Sequence, residues 1–288
     1  MADDGKSKKA SGYGLGSVDT VISIEQVAKD AKAMAGDGPT VEQLSGLAGN
    51  DPFFSIEGLV AGYGKMEIIH GFDLRVAAGQ SLCLIGPNGA GKSTILHSIY
   101  GFTNITRGAI KIKGEDVTRM KPNQKLKSAG IAYILQDNSV FPNMTVEENM
   151  LMGGFLKDKV ADAEAAAERV FEKYAQLAKR RNHNAGVLSG GERRLLEISR
   201  ALIMQPDVLL VDEPSIGLEP RFIDQVFEIL DDLQKNEGKT IIMVEQNAKK
   251  GLEFSDIGYV LVDGKLAMAG LGDELLENPD VGRLFLGG

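Results

Sequence analysis

Nine consecutive residues, Gly86-Pro87-Asn88-Gly89-Ala90-Gly91-Lys92-Ser93-Thr94, have the types and spacing that hold a phosphate group. Glycines let backbone N–H groups converge on phosphate oxygens where a side chain would stand in the way. Lys92 can reach terminal phosphates, and the Ser93 hydroxyl is a ligand for Mg²⁺. A second run, Val208-Leu209-Leu210-Val211-Asp212-Glu213-Pro214, places two carboxylates at the end of an apolar strand pattern. That end of a strand is where α/β sheets bind ligands. There Asp212 can hold Mg²⁺ through water, and Glu213 can take a proton from an attacking water. A third run, Leu188-Ser189-Gly190-Gly191-Glu192, puts a serine and two glycines at a helix N-terminus, a second anion site. One chain needs one cradle for a terminal phosphate, so the second suggests service to another subunit.

These residues need particular elements around them. The apolar run Ser81-Leu82-Cys83-Leu84-Ile85 predicts the buried strand that feeds the glycine loop. Ile95 to Tyr100 predicts the helix that aims its positive dipole end at the same anion. Strands are expected at 53–56, 68–76, 109–114, 131–135, 208–211 and 240–244, with a turn at Gly62-Tyr63-Gly64. Asp263-Gly264 between two short apolar runs is a hairpin signal. Helices are expected over 162–181 as one element, from Ser189 onward, over 221–235, and from 272 to 286 with a break at Pro279. Thr40/Gln43, Thr145/Glu148 and Ser189/Glu192 each have capping-box spacing. Apolar strands alternating with helices argue for an α/β fold with a parallel sheet covered on both faces. The mainly helical stretch of about 137–205 interrupts that alternation and predicts a separate lobe.

The 288 residues carry a net charge of −8, with 43% hydrophobic and 25% charged residues. That suits a globular domain with a sizeable core and gives no electrostatic support to nucleic-acid binding. No apolar run approaches the roughly 18 residues of a membrane span, and no secretory signal is evident. The single cysteine, Cys83, falls in the buried strand before the glycine loop and reads as a core residue in a reducing setting. His70, His97 and His183 lack metal-ligand spacing. Residues 1–51 form an extension: 1–17 read as disordered, 18–35 as a weak helix, and a short helix follows Thr40.

With the Leu188–Glu192 signature the chain resembles the nucleotide-binding subunit of ATP-binding cassette (ABC) transporters, over 52–288. The resemblance implies a P-loop NTPase (RecA-like) core, an N-terminal antiparallel β subdomain and an inserted helical subdomain. It implies ATP and Mg²⁺ as ligands, with Gly86, Pro87, Asn88, Gly89, Ala90, Gly91, Lys92, Ser93 and Thr94 on the nucleotide. Tyr63 matches the aromatic that stacks on adenine. Gln136 matches the glutamine that, with Ser93 and Asp212, serves Mg²⁺. Glu213 matches the general base, and Leu188, Ser189, Gly190, Gly191 and Glu192 face the partner's ATP. Phe141–Asn149 resembles the surface that meets the membrane subunit, and Ser215–Pro220 the loop that crosses between ATPase subunits. Glu219 departs from the Asp that most of the family has there. A larger departure is Gln246, in Glu245-Gln246-Asn247, at a position where most members place a histidine on the γ-phosphate. An amide can hydrogen-bond a phosphate oxygen but carries no charge.

The Glu-Gln-Asn ending and the terminal Leu286-Gly287-Gly288 look like the LivF-type ATPase of branched-chain amino acid importers. The branch that serves urea or short amides is closely similar and stays open as an alternative. So does a soluble ABC ATPase outside transport, although the chain has neither a long coiled coil nor a second cassette. The importer reading implies a head-to-tail dimer with a second, identical or related, ATPase subunit. Two permease subunits would hold it peripherally at the cytoplasmic face of the inner membrane, and a periplasmic binding protein would deliver the solute.

Overall fold

The computed structural model describes residues 38–136 and 139–286. The expected disorder at 1–17, the weak helix at 18–35 and the Gly287-Gly288 ending lie outside the described residues. In chain order the elements are α1 (Val41–Ala48), β1 (Phe54–Tyr63), β2 (Met66–Val76), β3 (Ser81–Ile85), α2 (Lys92–Tyr100), β4 (Asn104–Ile112), β5 (Glu115–Asp116), α3 (Pro122–Lys127) and β6 (Ile131–Ile134). Four helices follow: α4 (Val146–Gly153), α5 (Val160–Lys173), α6 (Ala175–Lys179) and α7 (Gly190–Leu202). Then come β7 (Val208–Asp212), α8 (Pro220–Lys235), β8 (Thr240–Val244), α9 (Ala248–Phe254), β9 (Ile257–Val262), β10 (Lys265–Leu271), α10 (Gly272–Glu277) and α11 (Pro279–Phe285).

Two sheets carry the molecule. One is antiparallel, in the order β2-β1-β4-β5; the other runs β10-β9-β3-β8-β7-β6. In the second sheet β6, β7, β8, β3 and β9 are parallel and β10 is an antiparallel edge. The apolar runs predicted as buried strands are buried at every residue in β3, β7 and β8. Their side chains alternate between two cores, as strand geometry requires. Cys83, Ile85, Leu209, Val211, Ile241 and Met243 pack with helices α4 to α7 on one face. Leu82, Leu84, Leu210, Ile242 and Val244 pack with α2 and the antiparallel sheet on the other. Cys83 is the core residue it was expected to be, and burial pushes its thiol well above the ordinary range.

All three capping boxes form: Thr40/Gln43, Thr145/Glu148 and Ser189/Glu192. Each occupies two orphan donors at a helix start. The break near Pro279 also forms, with Asn278 capping α11 through bonds to the Asp280 and Val281 N–H groups.

Three expectations need correcting. Residues 162–181 are not one helix: Tyr174, at φ −114° and ψ 77°, separates α5 from α6. The break turns Leu177 into the core, fully buried. Gly62 and Tyr63 belong to β1 rather than to the turn, since they pair with Glu67 and Met66. The strand expected from Ala109 begins at Asn104, and the two-residue β5 pairs with its end, too short to show a pattern in sequence.

The Asp263-Gly264 hairpin does more than reverse the chain. Gly264 N–H donates to Ala90 O in the glycine loop, and Gly264 O accepts from His70 N–H in β2, both at 2.9 Å. The turn thereby joins both sheets and the loop. Its φ is +72°, and a Cβ there would stand 1.8 Å from Ile68 O. Gly264→Ala is expected to cost about 2–4 kcal/mol of stability by urea unfolding. Gly114→Ala, at φ +78° in open space, should cost about 1 kcal/mol. Equal costs would remove the turn from its place between the sheets.

Candidate functional site

The glycine loop leaves β3 at the middle of the parallel sheet and ends in α2. Gly86 is required by close approach: at φ +147°, a Cβ there would stand 2.1 Å from Leu261 O of β9. No side chain caps α2, whose N-cap is Gly91. Its first-turn N–H groups therefore lack side-chain partners and are available to an anion. Asn88, Gly91, Lys92, Thr94 and Glu213 line a cavity of about 360 Å³ at this end of the sheet. Lys92 Nζ donates to Gly86 O at 2.8 Å and to Pro87 O at 3.1 Å, folded back over its own loop. Burial holds its ammonium below the usual lysine range, with Glu213 opposing that shift.

β7 delivers the two carboxylates. Asp212, with 4% of its surface exposed, accepts the Ser93 hydroxyl at 3.1 Å on one oxygen and the Tyr133 hydroxyl at 2.7 Å on the other. Burial, and then the Asp212 charge, push the Tyr133 phenol up, which keeps it a donor. Glu213 sits at φ 43°, with its N–H on Val244 O at 2.9 Å. Its Oε2 accepts Gln136 Nε2–H at 2.9 Å. So Ser93 meets Asp212, and Gln136 meets Glu213. The hard oxygen pair of Ser93 and Asp212 fits Mg²⁺, which keeps most of its other positions for water and phosphate.

Tyr63 ends β1 with 41% of its surface exposed. Its hydroxyl hydrogen-bonds His97 Nδ1, and the two rings meet edge to face at 6.0 Å. Burial pushes the His97 imidazole down. Gln246 is exposed just after β8.

The signature run stands apart. Ser189 Oγ accepts Glu192 N–H at 3.2 Å, and Glu192 Oε2 accepts Ser189 N–H at 2.9 Å. That backbone bond is the main reason the Glu192 carboxyl lies below its usual range. A Cβ on Gly190 or Gly191 would press on Leu218 or Phe222. Among the described residues, no hydrogen bond links 188–192 to 86–94.

Sequence reasoning gave no site role of their own to four polar residues here. Tyr133 is the one hydroxyl-bearing residue of the short apolar strand β6. Arg194 pairs with Glu197 at 2.8 Å, both buried, and also bonds Leu135 O and Asp212 O; their i,i+3 spacing on the apolar face of α7 was the available signal. Glu245 is buried directly after β8 and bonds Ser215.

A family model described as ABC transporter matches residues 69–216. Over 226 residues the chain is 42% identical to the high-affinity branched-chain amino acid transport ATP-binding protein BraG of Pseudomonas aeruginosa, covering 78% of this chain and 96% of that one. It is 38% identical to the probable branched-chain amino acid transport ATP-binding protein LivF of Archaeoglobus fulgidus, covering 80% and 96%. Among solved structures, the ADP conformation of an ATP-binding cassette of an ABC transporter superposes with a TM-score of 0.72 at 28% identity, covering 82% of this chain and 99% of that one.

Lys92→Ala removes the one cation of the loop. ATP affinity by titration calorimetry is expected to fall by about 2–4 kcal/mol, roughly 30- to 1,000-fold. Unchanged affinity would take the nucleotide away from this loop.

Proposed function

The chain belongs to the ABC transporter family of ATPases, and on that premise we propose that it powers an importer of branched-chain amino acids. The observation that carries the catalytic part is the convergence at the end of the parallel sheet. There the glycine loop, Ser93 and Glu213 line one cavity, and the Ser93 hydroxyl bonds Asp212. The solute class rests on the 42% and 38% identity to ATPase subunits named for branched-chain amino acid transport.

In this reading, backbone N–H groups of 86–94 and Lys92 bind the phosphates, and Tyr63 stacks on adenine. Lys92 leaves the Gly86 and Pro87 carbonyls to do so. Ser93, Asp212 and Gln136 would hold Mg²⁺, which would supply positive charge to offset that of the phosphates. Glu213 takes the proton of the attacking water, and Gln246 contacts the γ-phosphate as a neutral donor. Leu188–Glu192 close on the ATP of a second ATPase subunit, head to tail. Two such sites then form between two subunits.

Gln136 lies between the catalytic Glu213 and the helical insertion of about 137–205. That insertion is the natural lever toward two permease subunits, with residues 1–51 as an extension of the 52–288 ATPase unit. Among the described residues no helix is long and apolar enough to cross a membrane. Peripheral attachment at the cytoplasmic face of the inner membrane, through those permeases, follows from this reading. A periplasmic binding protein supplies the solute from the far side.

Glu213→Gln keeps the shape and the bond to Gln136 but removes the base. Hydrolysis is expected to fall about 100- to 1,000-fold, while ATP affinity stays within about threefold, inside the range of one neutral hydrogen bond. Hydrolysis at the wild-type rate would remove Glu213 as the base.

A further inference from the structure

Glu245 follows β8 with 1% of its surface exposed, and two loops share its carboxylate. Oε1 accepts the Ser215 hydroxyl at 2.7 Å and the Asn247 N–H at 2.9 Å; Oε2 accepts the Ser215 N–H at 3.3 Å. Ser215 opens the 215–219 segment that leaves β7 past Glu213. Asn247 directly follows Gln246 and caps α9, accepting the Lys250 N–H at 3.1 Å. The bond from Glu213 N–H to Val244 O carries the β7–β8 pairing one residue past the strands. Beyond it, this carboxylate makes the connection between the two loops. The side chain is also confined. A Cβ on Gly251 of α9 would stand 3.0 Å from Glu245 Cβ and 2.6 Å from Cys83 Sγ. The glycine lets α9 lie directly on Glu245 and fix its position.

We propose that Glu245 is a positioning residue that fastens the partner-crossing loop, Ser215–Pro220, to the loop carrying Gln246, so that the two move as one body. Movement of Ser215–Pro220 against a second subunit is then passed to the γ-phosphate contact, and loss of the γ-phosphate is passed back. A carboxylate suits the task because all its sites accept, and the three groups around it all donate. A buried acceptor with several donors from different segments holds them together more firmly than an exposed pair would. The role for nucleotide rests on the proposed function of Gln246 and on the resemblance of Ser215–Pro220 to a subunit-crossing loop; the mechanical tie does not.

The test uses the full chain and Ser215→Ala, which removes one of the three bonds with little risk to the fold. Two measurements are made. Hydrogen exchange without nucleotide should show faster exchange in the 245–250 peptide of Ser215→Ala, 30 residues from the substitution. Nucleotide titration should show ATP affinity about three- to tenfold weaker, the scale of one hydrogen bond, with ADP affinity unchanged. Ser215→Thr, which keeps the hydroxyl, should restore both. Exchange at 245–250 equal to wild type, or equal loss of ATP and ADP affinity, would overturn the proposal. If wild-type protein bound neither nucleotide, the ATPase reading would fall, and exchange alone would still decide whether the loops are tied.

Discussion

A buried carboxylate must be met by donors, and Asp212 sets that demand at the centre of this molecule. It is 4% exposed, at the end of a strand whose every residue is buried. Its two oxygens are met by Ser93, from the first turn of α2, and by Tyr133, from β6. Its carbonyl accepts from Arg194 of α7. Satisfying one group therefore fixes the glycine loop, the edge of the parallel sheet and the helical insertion relative to one another. The Arg194–Glu197 pair beside it is buried as well. Removing one partner of such a pair leaves an uncompensated charge that costs about 3–5 kcal/mol. The architecture thus holds its polar residues in place at the same point where its chemistry is read.

The legible parts of the fold were those with local causes. The apolar runs of β3, β7 and β8 match their sequence expectations because a strand buried on both faces leaves a continuous apolar record. Thr40, Thr145 and Ser189 cap helices because the capping bond spans only three residues. The parallel core, the antiparallel sheet and the helical insertion follow the resemblance drawn from the signature run. The parts that were not legible depend on distant partners. Tyr174 interrupts a good helical pattern so that Leu177 can reach the core, and nothing nearby in sequence demands that. β5 exists only because β4 is there to pair with it.

The site divides the same way. Lys92, Ser93, Asp212 and Glu213 could be singled out because their spacing along the chain carries the chemistry. Tyr133, Arg194 and Glu245 could not, because each matters through a partner distant in the chain: Ser215 for Glu245, Leu135 O for Arg194, Asp212 for Tyr133. A lone polar residue in an apolar strand, or just past its end, marks such positions without naming the partner. His97 is a related case. It lacked a metal-binding neighbour in sequence, and in space it supports the exposed Tyr63 ring through a hydrogen bond and an edge contact.

In the proposed function one catalytic site is divided between two chains, with the glycine loop on one and Leu188–Glu192 on the other. The direct measurement is the ATPase rate per chain as total protein concentration is raised at saturating ATP, with the second ATPase subunit present in equal amount if it is a different chain. A shared site predicts a rate per chain that climbs with concentration and levels off once dimers dominate. A rate per chain that is constant down to the lowest dilution, where sedimentation shows only monomers, would contradict it.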